Sequence, residues 1–218
     1  MVHLPPVIKH IIFDLDETLY PRHAGLMQAI GERILRYLIE RMGFSPEVAE
    51  EKRVYYFRTY GTSLRGLMVE EHVDAEDYLA FVHDIDLARY IGPNPALDAM
   101  LRRIPLAKCV FTNATREHAL RVLDVIGVAG HFPVIIDIRA VDYVSKPDPV
   151  AYRRILERIG AEGGECILVE DNPRNLQPGK ALGMHTILVD HAECSEVDFC
   201  VPDILGVGDV VAGILGNG

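Results

Sequence analysis

The stretch IIFDLDETLYP, Ile11 to Pro21, sets three acids, Asp14, Asp16 and Glu17, directly behind a short apolar run. Such a run, bounded by acids and a turn, reads as a buried strand with a polar exit. Side chains two apart on an extended segment share a side, so Asp14 and Asp16 can converge at the strand's carboxyl end. Taken alone, the two acids could equally be a solvated turn capping a helix. The choice depends on what the rest of the chain brings to the same edge.

Four further runs read as strands: Leu106 to Thr112, Phe132 to Ile138, Glu165 to Asp171 and His185 to Asp190. Between them lie helical patterns with glycine stops, at Thr115 to Ile126 before Gly127, Pro149 to Ile159 before Gly160, and Pro173 to Leu182 before Gly183. This alternation predicts an α/β fold, with right-handed βαβ units forming a parallel sheet covered by helices on both faces. The first strand stands apart, because Ala24 to Arg89 reads as wholly helical. A βα connection usually takes about 2 to 6 residues. The spacing therefore predicts a helical domain over residues 21–90, inserted into a core made of residues 1–20 and 91–218, with IGPNP (Ile91 to Pro95) marking the return. Hung just after the acidic loop, such an insertion would act as a lid.

At 218 residues, nearly half of them apolar, the chain can bury a substantial core without staples. Its formal charge of -10 disfavours nucleic acid polymers and anionic membranes as partners, since neither would meet a basic surface. Cys109, Cys166, Cys194 and Cys200 form no CxxC pair and have no histidine at zinc-finger spacing, so neither a structural zinc nor a disulfide scaffold is indicated. Met1 to His10 carries no basic region leading into a long apolar segment, and no run approaches the roughly 18 apolar residues of a membrane span. The expectation is a cytoplasmic protein, neither exported nor anchored, with its oligomeric state left open.

The other strand ends resolve the opening ambiguity. Strand two ends in FTNA, with Thr112 and Asn113; Lys146 follows strand three in VSKPDP; strand four ends in Glu170 and Asp171. All fall at the carboxyl edge, where open parallel sheets bind ligands. Two carboxylates about 4 Å apart repel by roughly 4 kcal/mol at an effective dielectric of 20, so cations must join them.

In order along the chain, FDLDET, FTNA, the lysine of SKPDP and VEDN resemble the four motifs of the haloacid dehalogenase superfamily of phosphohydrolases. The resemblance covers essentially the whole chain. It implies a Rossmann-like three-layer core with a helical cap after the first strand. It further implies that Asp14 is the nucleophile forming an aspartyl-phosphate, and that Asp16 is the general acid and base, its proton retained at neutral pH partly by crowding from neighbouring carboxylates. Mg²⁺ would be held by Asp14, the backbone carbonyl of Asp16, and Asp171, with Glu170 on a metal-bound water. Lys146 would set a positive charge against phosphate and Asp14. Thr112 and the backbone of Asn113 would donate to the phosphoryl oxygens, and Thr18 would support the loop that opens and closes the cap. Dehalogenases of the same superfamily typically lack an acid at the position of Asp16 and need no metal, so the acids here favour phosphate esters.

In the cap, YFRTYGTSLRGLM (Tyr56 to Met68) and FVHD (Phe81 to Asp84), with the later VEDNPRNLQPGKALGMHTILV, resemble the pyrimidine 5'-nucleotidase branch. Tyr60, Gly61, Thr62, Arg65 and Gly66 carry that likeness, and Arg65 is the expected substrate contact because its guanidinium offers several fixed donors. The expected activity is Mg²⁺-dependent phosphomonoester hydrolysis of a small phosphorylated metabolite, with a pyrimidine nucleoside 5'-monophosphate first and a sugar phosphate as the alternative. A receiver-like signalling module also gathers acids, a threonine and a lysine around Mg²⁺. It phosphorylates an aspartate after its third strand and has no helical lid, so the order of elements argues against it. His23, His72, His83 and His118 form no pair at metal-ligand spacing on one predicted helix face and receive no catalytic role, and Lys52 reads as a surface lysine.

Overall fold

The computed structural model describes residues 7–191, 193 and 195–216. Residues 1–6, within the stretch read above for a leader, lie outside the described residues, as do Cys194 and the tail residues 217–218. Six parallel strands form one sheet: β1 (His10–Phe13), β2 (Ala107–Phe111), β3 (Val134–Ile136), β4 (Cys166–Glu170), β5 (His185–Val189) and β6 (Phe199–Val201). Their order across the sheet is β3-β2-β1-β4-β5-β6. The chain steps outward from β1 on one side and then on the other, so the strand order reverses at β1. A crevice opens at the carboxyl edge of such a switch point.

β1 is central, paired to both β2 and β4, and its side chains are buried on both faces. Ile11 and Phe13 join one apolar cluster, with Val110, Ile167 and Val169, while Ile12 joins the other, with Phe111, Leu168 and Leu188. That two-residue alternation explains a continuous apolar run with no polar face.

Four helices fill the chain between β1 and Ile91: α1 (Leu26–Glu40), α2 (Pro46–Tyr60), α3 (Ser63–Glu70) and α4 (Ala75–Val82). Ser45, Thr62 and Asp74 cap the last three through their side-chain oxygens. Leu26 and Ile30 of α1 pack into the Ile11 cluster, and Tyr37, Tyr56, Leu64 and Tyr78 into the Ile12 cluster. IGPNP leads into α5 (Pro95–Arg103), capped by Asn94. After β2 come α6 (Arg116–Ile126), α7 (Pro149–Ile159), α8 (Pro173–Ala181) and, last, α9 (Val207–Gly216). Gly127 and Gly160 stop α6 and α7 in the left-handed conformation. β6 is only three residues long. Cys109 and Cys166 are free and buried, whereas Cys200 is disulfide-bonded. Among the described residues no helix is long and apolar enough to cross a membrane.

Candidate active site

The switch point brings the motif residues together. Asp14 leaves β1 and Asp171 leaves β4, and with Glu170 they place carboxylate oxygens within 4.8 Å of one another, all buried. Lys146 Nζ enters from the loop after β3 and donates to Asp14 Oδ1 at 2.6 Å, Glu170 Oε1 at 2.7 Å and the carbonyl of Phe111 at 3.0 Å. The lysine is 2% exposed, so this charge is fully committed to the site. Burial opposes its charge, but Asp14 and Glu170 hold it protonated far above the usual lysine range.

One lysine does not neutralise three acids. Burial, and then the charge of Glu170, push the Asp14 carboxyl well above its ordinary value in spite of Lys146. The same causes push Asp171 up to about 7. Arg22 Nη2 reaches Asp171 Oδ2 at 2.9 Å from just beyond the acidic loop, but its side chain is 56% exposed and its charge is screened. Buried, oxygen-only and short of positive charge, this set suits a hard divalent cation such as Mg²⁺.

Several residues make contacts beyond those expected. Glu170 accepts from Lys146, from Asn175 Nδ2 at 2.6 Å and from the backbone N–H of Asn172 at 2.9 Å. It is 0% exposed, and through these bonds it braces the lysine. The Thr18 hydroxyl lies 3.4 Å from Asp14 Oδ2 and 3.5 Å from Asp171 Oδ1, bridging the two acids. Asn113 clamps the lysine loop, accepting from the Lys146 N–H at 2.8 Å and facing the Lys146 carbonyl at 3.4 Å. Thr112 Oγ1 accepts from the Ala114 N–H at 2.9 Å, which leaves its own hydrogen to donate.

Asp16 departs from expectation most. Burial raises it, but the His118 ring and the Tyr20 hydroxyl outweigh burial, and its carboxyl sits below the usual range. Tyr20 donates to Asp16 Oδ1 at 2.7 Å, and His118 Nε2 stands 3.7 Å from the same oxygen. At this acid the donors prevail over burial. His118 is buried with neither ring nitrogen hydrogen-bonded, a condition that costs about 1 to 3 kcal/mol. His83, at the end of α4, stacks on it with centroids 4.2 Å apart. Burial, and then His118, push His83 down to about 3, so it is neutral at working pH. A search for histidine pairs on one helix misses these two, which come from two elements; the signal in the sequence is that His118 sits five residues past Asn113, in the first turn leaving FTNA.

Above the acids lies a cavity of about 600 Å³. Its floor is Asp14, Asp16, Thr112, Asn113, Lys146 and Asp171, and its upper walls include Ile30, Ile34, Phe57, Leu64, Tyr78 and Arg53. Arg65 does not line it. Thr62, Ser63 and Leu64 at the start of α3 do, and the helical step of about 100° per residue turns Arg65 off that wall. Lys52 is not a free surface lysine: it pairs with Glu71 at 2.5 Å and Tyr56 Oη at 2.9 Å inside the helical segment.

The cap stretch Tyr60 to Thr62 docks on the lysine loop. Ser145 Oγ donates to the Tyr60 carbonyl at 3.4 Å, and Thr62 Oγ1 lies 3.5 Å from Ser145 Oγ. Gly61 has φ of +85°, and a Cβ there would stand 2.8 Å from the Lys146 carbonyl. Gly61→Ala therefore meets both a left-handed penalty of about 1 to 2 kcal/mol and a backbone clash against the lysine loop. The expected result is a lower unfolding midpoint and activity down by tenfold or more, checked by thermal melts and turnover; a variant with wild-type values on both would contradict this docking.

Comparison with known proteins agrees with the geometry. A model described as haloacid dehalogenase-like hydrolase matches residues 8–183. Phosphate metabolism protein 8 of Saccharomyces cerevisiae is 24% identical over 198 residues, covering 84% of this chain but only 62% of that protein's length. A phosphoglycolate phosphatase of Rhodospirillum rubrum is 24% identical over 206 residues, covering 86% of this chain and 82% of that protein. Among solved structures, the L-2-haloacid dehalogenase of Xanthobacter autotrophicus superposes with a TM-score of 0.64 at 17% identity, over 95% of this chain and 100% of that one, a likeness of fold. With the acids, lysine and threonine of its strand ends gathered at one switch point and the family model spanning them, the chain belongs to the haloacid dehalogenase-like hydrolases.

Proposed function

We propose that the protein is a phosphomonoester hydrolase that works through an aspartyl-phosphate on Asp14, with Mg²⁺ as cofactor and a nucleoside 5'-monophosphate, foremost a pyrimidine one, as substrate. The observation that carries the reading is the buried Lys146 bonded to both Asp14 and Glu170, on the floor of a cavity that also holds Asp16. A carboxylate nucleophile attacks an anionic phosphate only where positive charge is fixed beside it. Asp14 and Asp171 would hold the metal, which when bound supplies charge neutralisation for the phosphoryl oxygens. Thr112 donates to those oxygens. Asp14 Oδ attacks phosphorus as Asp16 protonates the departing alkoxide; Asp16 then takes a proton from the water that cleaves the acyl-phosphate. Arrival of an anionic phosphate raises the low affinity of Asp16 for a proton toward the value an acid needs.

The apolar and aromatic upper walls favour a planar base over a hydroxyl-rich sugar. The guanidinium of Arg53 on the same wall favours a second reading, a small phosphorylated acid, in keeping with the relatives named phosphoglycolate phosphatases. Phosphate release from nucleoside monophosphates, sugar phosphates and phosphoglycolate, with Mg²⁺ or EDTA, separates them. Release strongest from UMP or CMP supports the first reading, strongest turnover of phosphoglycolate or a sugar phosphate replaces it, and none from any substrate defeats both.

The cation requirement has a pH signature. The Asp171 carboxyl is raised to about 7 when folded, against about 4 when unfolded. The unfolded chain gives up that proton first, so in EDTA this group's contribution costs nothing below about pH 4 and destabilises increasingly as pH rises to about 7. A cation binding the ionised cluster reverses the loss. Saturating Mg²⁺ should therefore raise the melting temperature by several degrees at pH 8 and by much less at pH 5; equal shifts at both pH values would contradict the assignment.

A further inference from the structure

The mechanism leaves one buried group without a task. His118 is 1% exposed, and neither ring nitrogen has a hydrogen-bond partner. Its backbone is fixed in the first turn of α6, where its N–H donates to Thr115 Oγ1 at 3.2 Å. One ring face is covered by His83, whose Nδ1 lies 3.4 Å from the same Thr115 hydroxyl. Arg121, further along α6, donates to the His83 carbonyl at 3.0 Å, so the end of α4 is pinned to α6. The acceptor facing the ring is Asp16 Oδ1, at 3.7 Å, and Tyr20 already donates to that oxygen. A buried ring nitrogen this close to one specific acceptor, and just short of bonding it, points to a contact completed in another state.

We propose that His118 is the positioning residue for the general acid: with substrate bound, its Nε2–H donates to Asp16 Oδ1, and His83 of the helical segment clamps the ring in that pose. The proposal rests on the phosphohydrolase reading above. With Oδ1 accepting from both Tyr20 and His118, the carboxyl proton is left to Oδ2. In the first half-reaction the Oδ2–H bond breaks and its proton goes to the alcohol oxygen, which keeps the electron pair of the breaking P–O bond. In the second, Oδ2 takes a proton from the attacking water while the bond between phosphorus and Asp14 breaks. His118 keeps its own proton throughout. Through His83, alignment of the acid is tied to the position of the helical segment over the cavity.

A role confined to protonating the leaving group is separable from a structural one by leaving-group chemistry. An alkyl phosphate needs the acid, whereas an aryl phosphate with an acidic phenol departs without it. The experiment uses the full chain with Mg²⁺ and compares steady-state hydrolysis of UMP with the pre-steady-state burst of phenol from p-nitrophenyl phosphate. His118→Leu should lower kcat for UMP about 100-fold with KM little changed, the scale expected for general-acid assistance, while the phenol burst stays within about threefold of wild type. His118→Gln, whose amide can donate from near the place of Nε2, should recover most of the UMP rate. An intact burst certifies a folded site. If the leucine variant does not fold, His83→Ala decides, with an expected loss of about tenfold on UMP and none on the burst. Equal losses on both substrates, or none on UMP, overturn the proposal, and wild-type protein that hydrolyses neither ester, nor phosphoglycolate or a sugar phosphate, overturns the phosphohydrolase reading along with it.

Discussion

Replacing Lys146 by methionine should cost the protein its activity and about 3 kcal/mol of stability at once. The stem is preserved in volume, so the change isolates the charge. Without the ammonium, Asp14 Oδ1 and Glu170 Oε1 lose partners at 2.6 and 2.7 Å, and the carbonyl of Phe111 loses one at 3.0 Å, all in a buried setting. Removing one partner of a buried ion pair typically costs about 3 to 5 kcal/mol, because an uncompensated charge stays behind. Partial protonation of Asp14 would hold the loss toward the lower figure, since its carboxyl is already pushed up by burial and by Glu170. Urea midpoints measured in EDTA read the stability, and single-turnover phosphate release in Mg²⁺ reads the chemistry, where a fall of at least about 1,000-fold is expected for a lost fixed charge. Lys146→Arg should not rescue it, because a planar fork cannot satisfy three acceptors arranged around one nitrogen. A methionine variant that unfolds at the wild-type midpoint would show that the lysine does not balance these acids.

The lysine also marks how far the sequence could be read. Its place after β3 and those of Asp14, Thr112 and Asp171 were legible because strand ends are written locally, in an apolar run that stops at a polar residue. Parallel pairing then puts all those ends on one edge with no further information. Residues whose partners come from another element were not legible. The stacking of His83 on His118 joins α4 to α6, and the bracing of Glu170 by Asn175 depends on how α8 turns away from β4. Arg65 failed for the opposite reason: its chemistry suited a substrate, but the phase of α3, set by packing of Leu64 and Leu67, turned it off the cavity wall. Chemical type predicts what a side chain can do, and only the tertiary phase decides whether it is presented.

Asp14→Asn should abolish phosphate release in Mg²⁺ and at the same time make the metal-free protein more stable. With Asp14 as the nucleophile proposed above, its loss would remove the covalent route entirely, so residual turnover at or below about 1 part in 10,000 of wild type is expected. The stability gain follows from the direction in which Asp14 is displaced. Its carboxyl is 7% exposed and raised well above the ordinary value by burial first and Glu170 second, with Lys146 only partly offsetting them. A folded carboxyl raised above its unfolded value of about 4 contributes nothing unfavourable below that pH and destabilises progressively above it. Asparagine carries no such penalty, so in EDTA the variant should melt no higher than wild type near pH 4 and several degrees higher near pH 8. With Mg²⁺ at pH 8 the order should narrow or invert, because the variant loses an anionic ligand and gains less from the cation. Function here would then be held at the expense of stability, through an acid kept in a place where its charge is costly until metal and phosphate arrive. If asparagine at position 14 lowers the EDTA melting temperature at pH 8, the acids are already balanced by Lys146 and Arg22, and the site has no charge deficit for a divalent cation to fill.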